Sequence, residues 1–331
     1  EGRQDRGAGH EGPLQGEELL GKMRDLNPAR VWQLCFNYKD VRIESAGVLY
    51  LRIEKGPKER VLPRLSPSLL RAFHTYSVIG LREDSEVIQR KTKALIQHRK
   101  AISDEKYRIA YDLVSNLSAP GNICFIITGD VFWDMAHREK RHNPVSGELM
   151  SGSDIDIIAI TSNNVLKRQL DNLEREMFFA SDRILESERV EVDFELITIS
   201  KLKKLRFDKQ ADIMLAKNIL HSKHLKGDEN ISHKAQAILK RKGLVKLIKD
   251  LDQRAKIFRI KKEREVARKP IHRWSRKDKM FFVGTFENFV DLASASPIDE
   301  KNKSDSISTI SAVRGGILSL VSAFIISNSC K

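Results

Sequence analysis

Cysteine is scarce in this chain. Its 331 residues hold Cys35, Cys124 and Cys330, far apart and without a CxxC pair. A disulfide scaffold and a zinc site of the usual spacing are therefore not expected, and a reducing cytoplasm is the natural setting. His221, His224 and His233 bring no companion cysteine or ligand spacing that would change this. The first 18 residues are polar and glycine-rich and lack the apolar core of a signal peptide. Long apolar runs are missing too. Gly315–Ile326 is apolar but too short to span a bilayer, so no membrane partner is expected and the segment reads as a buried or partner-facing helix. The chain has no Walker-type loop, no Ser-His-Asp elbow and no visible internal repeat.

What is abundant is positive charge. Lys and Arg number 59 against 45 Asp and Glu, a formal balance of +14. Such an excess suits a polyanionic partner, either a nucleotide triphosphate or a nucleic acid, or else forms a solvated basic surface. The densest run is Lys256–Lys279, where Trp274 stands among Arg273, Arg276 and Lys277. It could track a nucleic-acid backbone and stack one base, or be the exposed face of a long helix.

The apolar pattern gives an α+β reading: a mixed sheet with flanking helices and a helical C-terminal region. Residues 1–16 read as a disordered tail and 17–118 as an N-terminal accessory region. In the latter, Val31–Phe36, Val41–Glu44 and Val48–Ile53 have strand character and 85–117 has helical spacing. Residues 119–228 form the core, with strands at 123–127, 155–160 and 190–199 and a helix over 165–179. Residues 229–293 read as a helical basic region, and 294–331 as a linker with the apolar tail.

The chemistry concentrates at Gly152-Ser153-Asp154-Ile155-Asp156-Ile157. Side chains alternate faces along a strand, so Asp154 and Asp156 share one face while Ile155 and Ile157 enter the core. Two close carboxylates repel one another, and a divalent cation between them removes that cost. Taken alone, the pair could equally be a solvated strand edge. Downstream, Val190-Glu191-Val192-Asp193-Phe194-Glu195 alternates apolar and acidic residues. If the two strands are neighbours, Asp193 meets the pair. A three-carboxylate site of this kind suits two-metal phosphoryl transfer.

Together, Gly129, the Gly152–Ile157 segment and Val192-Asp193-Phe194 resemble the DNA polymerase beta-type nucleotidyltransferase superfamily, over about residues 120–225. The resemblance implies that Asp154, Asp156 and Asp193 are catalytic and hold Mg2+ or Mn2+. It implies that Gly129, with Asp130, Gly152 and Ser153, forms the nucleotide-binding turn. Lys217, on the helix after the core, could reach the triphosphate or simply be exposed. The expected reaction moves a nucleoside monophosphate from a nucleotide triphosphate to a hydroxyl acceptor. Two features depart from the family pattern. Asp130 stands where Ser or Gly is usual, and the insert carrying His137, Arg138, Lys140, Arg141 and His142 is long. That insert could be a basic lid or a surface loop. The departures keep open an alternative, a catalytically silent module of the same fold that binds nucleic acid or a protein.

Overall fold

The computed structural model describes residues 12–55, 61–142, 149–207 and 209–284. Its first elements are β1 (Leu14–Gln15), α1 (Gly16–Lys22), α2 (Pro28–Asn37), β2 (Val41–Ser45), β3 (Tyr50–Lys55), β4 (Val61–Ser66), α3 (Leu69–Tyr76), β5 (Ser77–Leu81) and α4 (Ser85–Ser115). There follow β6 (Ile123–Thr128), α5 (Gly129–Phe132), β7 (Lys140–His142), β8 (Leu149–Ser151), β9 (Ile155–Thr161), α6 (Lys167–Glu188) and β10 (Val192–Thr198). The described chain closes with α7 (Ile199–Lys204), α8 (Gln210–Leu220), β11 (Lys223–Gly227), α9 (Glu229–Arg241), α10 (Leu244–Arg268) and α11 (Arg276–Val283). The class is mixed α+β. The described residues divide into two compact units, one drawn from 12–47, 67–96 and 262–284 and the other from 48–66 and 97–261.

The second unit is built on a four-stranded sheet of order β10-β9-β6-β11. Strands β9 and β10 run parallel, as they can because α6 supplies the crossover between them. Strand β6 is antiparallel to both β9 and β11. All six residues of β6 are buried, because both faces of the sheet are covered. Ile123, Phe125, Ile127, Ile155 and Ile157 pack with Leu113 and Val114 of α4 and Leu173 and Met177 of α6. Cys124, Ile126, Ile158 and Ile160 pack on the other side with Ile213, Ala216, Leu239 and Ile248. Leu51, Ile53 and Leu65 of the β3–β4 ribbon join that second cluster. A strand buried on both faces reads as a continuous apolar run, which is the signature of 123–127.

The first unit holds a three-stranded antiparallel sheet of order β1-β5-β2. Its core includes Leu19, Trp32, Phe73, Ile79, Trp274 and Phe282.

Several expectations need correction. Val31–Phe36 is helical, within α2: Asn27 caps it by accepting from Ala29 N–H at 2.8 Å, and Pro28 occupies its first turn. The tail assigned to 1–16 is ordered by Leu14, where β1 pairs with β5; residues 1–11 lie outside the described residues. The helical basic region expected over 229–293 opens with two helices, α9 and α10, separated by Lys242–Gly243. Lys226-Gly227 ends strand β11 at the close of the core. The accessory region is not a single unit, since 48–66 and 97–118 pack with the core. Residues 285–331, with the linker and apolar tail, lie outside the described residues. No helix among the described residues is long and apolar enough to cross a membrane.

The basic run is largely exposed, as the helix-face reading has it, but Trp274 is not part of that surface. Trp274 is only 7% exposed. Its ring packs against Phe282 at 5.2 Å and its indole N–H donates to Lys269 O at 3.0 Å. A base cannot stack on it while it fills that core. Lys262 and Lys269 each reach the buried Asp278 carboxylate at 2.6 Å, and Arg259 is buried. Lys256, Lys261, Arg264, Arg268, Arg273, Arg276, Lys277 and Lys279 are exposed.

Candidate metal centre

Strand register assembles the carboxylates. Asp193 stands opposite Asp156 across the parallel β9–β10 pair, and Thr128 stands opposite Asp156 on the other side. Asp154 directly precedes β9. Ligand oxygens of Asp154, Asp156 and Asp193 all lie within 4.8 Å of one another. Asp154 and Asp156 are half-buried and Asp193 is exposed. Ile155 and Ile157 point to the opposite face, into the core. Burial, together with the charges of Asp154 and Asp193, pushes the Asp156 carboxyl well above the ordinary carboxylate range; Arg52 opposes this and Asp130 adds to it. Crowded oxygens that resist ionising together are a donor set suited to a hard divalent cation.

Gly129 begins α5 at the end of β6 with φ +67°. A Cβ built there would lie 1.9 Å from Asp156 Oδ2. Both the left-handed backbone and the contact require glycine. Gly129→Ala is therefore expected to destabilise the fold by about 1 to 3 kcal/mol and to displace Asp156. Denaturant melts combined with Mn2+ titration check this; a variant with parental stability and metal affinity would contradict the contact.

Asp130 turns its carboxylate toward two hydroxyl donors. It accepts from Tyr50 Oη in a short bond and from Ser153 Oγ at 2.8 Å. Burial alone would raise its pKa, but His137, these donors and Arg52 hold it below the ordinary value. It is thus a fixed anion tied to the strap that precedes Asp154. Gly152 and Ser153 are both buried. Gly152 N–H donates to Glu139 O at 3.0 Å and Ser153 N–H to His137 O at 3.0 Å. Within the insert, 140–142 and 149–151 pair as a small ribbon. His137 is buried, and Arg138 pairs with Glu105 of α4. Residues 143–148 lie outside the described residues.

Lys217 is buried rather than exposed. Its ammonium sits 5.6 Å from the centroid of the Tyr50 ring. Burial first, and then the nearby Arg52, lower its pKa to about 8 against the pull of Asp156 and Asp130. The sign follows. Between about 8 and the ordinary lysine value the unfolded chain holds a proton that the native state has lost, so stability climbs with pH across that window. Lys217→Met removes the climb, which is on the order of 3 kcal/mol at most. Chemical denaturation of both proteins from pH 7 to 10.5 measures it, and parallel curves would contradict the burial of a charged Lys217.

Some neighbours were not legible from sequence. Tyr50 stacks on Trp133 with centroids 5.6 Å apart, and Trp133 meets the edge of His221 at 5.2 Å. Arg52, two residues beyond Tyr50, feels Asp130, Asp154 and Asp156. The only local signal was period-2 alternation in 50–53, with Leu51 and Ile53 marking the buried face. A scan against known protein families and a search of curated proteins return no match for this chain.

Proposed function

We propose that the chain is a metal-dependent nucleotidyltransferase that moves a nucleoside monophosphate from a nucleotide triphosphate to a hydroxyl acceptor. The observation that carries this is the convergence of Asp154, Asp156 and Asp193, fixed by the register of adjacent strands. These three residues would hold Mg2+ or Mn2+, whose role is to offset charge on the phosphates and lower the pKa of the attacking hydroxyl. Asp193, the exposed carboxylate, stands where an acceptor can enter from solvent and would take its proton. The acceptor oxygen bonds to the α-phosphorus, the bond from that phosphorus to the bridging oxygen breaks, and pyrophosphate leaves in line. Lys217, held over the Tyr50 ring, offers a cation on the phosphate side. Asp130, the departure that favoured a silent module, is occupied by Tyr50 and Ser153.

Thermal melts with each of the four ribonucleoside triphosphates test the reading. Nucleotide at about 100 times Kd stabilises the native state by about 2.7 kcal/mol, and here it should do so only with Mg2+ or Mn2+. Radiolabelled triphosphate and an RNA acceptor then test transfer. A melt unmoved by every triphosphate with Mn2+, or moved equally in EDTA, would sink the proposal.

A further inference from the structure

A second cation near this site, besides Lys217, comes from outside the motif-bearing core, on the ribbon β3–β4. Leu51 and Leu65 pair across that ribbon and point into the core. Strand alternation therefore puts Tyr50 and Arg52 on the opposite face. That face looks at the carboxylates: Tyr50 Oη donates to Asp130, and Asp130 in turn accepts from Ser153, the residue before Asp154. Arg52 is exposed. Its register partner is Arg64, and directly paired residues share a face. Two like charges set opposite one another destabilise a ribbon, an arrangement that calls for anions nearby. The protein supplies Asp130, tied to the same face through Tyr50, and the charges of Asp130, Asp154 and Asp156 favour the charged Arg52 guanidinium. A cation at the carboxylates neutralises much of that negative charge and leaves the guanidinium free to take a phosphate instead. Guanidinium matches phosphate geometry with two parallel N–H donors.

We propose that Arg52 is a phosphate-binding residue of this site, contacting the polyphosphate of the triphosphate, and that the Tyr50–Asp130 hydrogen bond positions the ribbon that carries it. This rests on the metal-dependent reading of the three carboxylates. It also gives Asp130 a role. A carboxylate where the resembled family has Ser or Gly anchors the ribbon that brings in the replacement for lost phosphate contacts.

Inorganic tripolyphosphate tests the assignment, because it lacks base and sugar. Its affinity is measured by calorimetry with Mn2+ present, and Mn2+ alone is titrated by electron paramagnetic resonance. Arg52→Ala should weaken tripolyphosphate at least about tenfold, with Arg52→Lys between the two. Mn2+ alone should bind Arg52→Ala as well as the parent or better, since a nearby positive charge is gone. Tyr50→Phe should weaken tripolyphosphate in the parent background and add nothing in Arg52→Ala, as a residue acting through Arg52 must. Equal tripolyphosphate affinity in parent and Arg52→Ala, or none in the parent, overturns the assignment. Additive effects of the two substitutions overturn the positioning role of Tyr50. Absence of Mn2+ binding to the parent, read in the Mn2+-only titration, is the separate failure of the metal-site reading; with Mn2+ bound, the tripolyphosphate arm alone decides the role of Arg52.

Discussion

Asp156→Asn is expected to lose Mn2+ affinity by about two orders of magnitude, because affinity at oxygen sites follows the number of charged ligands. Transfer should fall at least as far. The fold survives, since Asn fits the same space opposite Asp193 and Thr128. Without metal the variant should be the more stable protein. Burial and the charges of Asp154 and Asp193 raise the Asp156 carboxyl above its ordinary range. Across the window from the unfolded carboxylate pKa up to that raised value, the native state holds a proton that the unfolded chain has released. Stability therefore falls as pH rises through the window, and the loss persists above it. Asn carries no charge and escapes it. Melts of parent and variant in EDTA at pH 4.5 and pH 8 decide the matter. The variant's advantage should be greater at pH 8, and a parent with the same melting temperature shift at both pH values would refute the crowding argument.

Trp274→Ala is expected to destabilise the protein by about 3 to 5 kcal/mol, the range for deleting a large aromatic ring from a core. The ring contacts Phe282, belongs to the cluster holding Trp32 and Phe73, and gives its N–H to Lys269. Composition alone casts Trp274 as a stacking platform among arginines, and that role predicts weaker single-strand binding with unchanged stability. Urea denaturation separates the two. A midpoint within experimental error of the parent would restore the stacking role and contradict the burial of this residue.

Local chemistry was readable where it depended on one strand at a time. Asp154 and Asp156 alternate with Ile155 and Ile157, and Asp193 alternates with Val192 and Phe194, so the face of each carboxylate followed from period alone. Their meeting needed more, namely that α6 carry the chain back to lay β10 beside β9. Tyr50 and Arg52 were unreadable because Tyr50 bonds to a residue 80 positions away and Arg52 shares its strand face. Val31–Phe36 was misread as a strand because its apolar run resembles one. The Asn27-Pro28 start signal, which decides for a helix, lay just upstream. For Lys217 the sequence left exposure open beside reach toward the triphosphate, because lysine is usually on a surface. Its burial follows from the ribbon closing over α8, which no window around residue 217 contains.

The second face of the β10-β9-β6-β11 sheet is roofed by chain from both sides of the motif-bearing segment: Leu51, Ile53 and Leu65 from before it, and Ala235, Leu239 and Ile248 from after it. A fragment cut at 119 and 228 would keep Asp154, Asp156 and Asp193 and every glycine of the motif. It would also strip that part of the cover from Cys124, Ile126, Ile158 and Ile160 and leave them only the helices α7 and α8. The portion that carries the chemistry in sequence is thus smaller than the portion that can stand as a folded body. Dissection of this protein has to begin no later than residue 48 and run through α10.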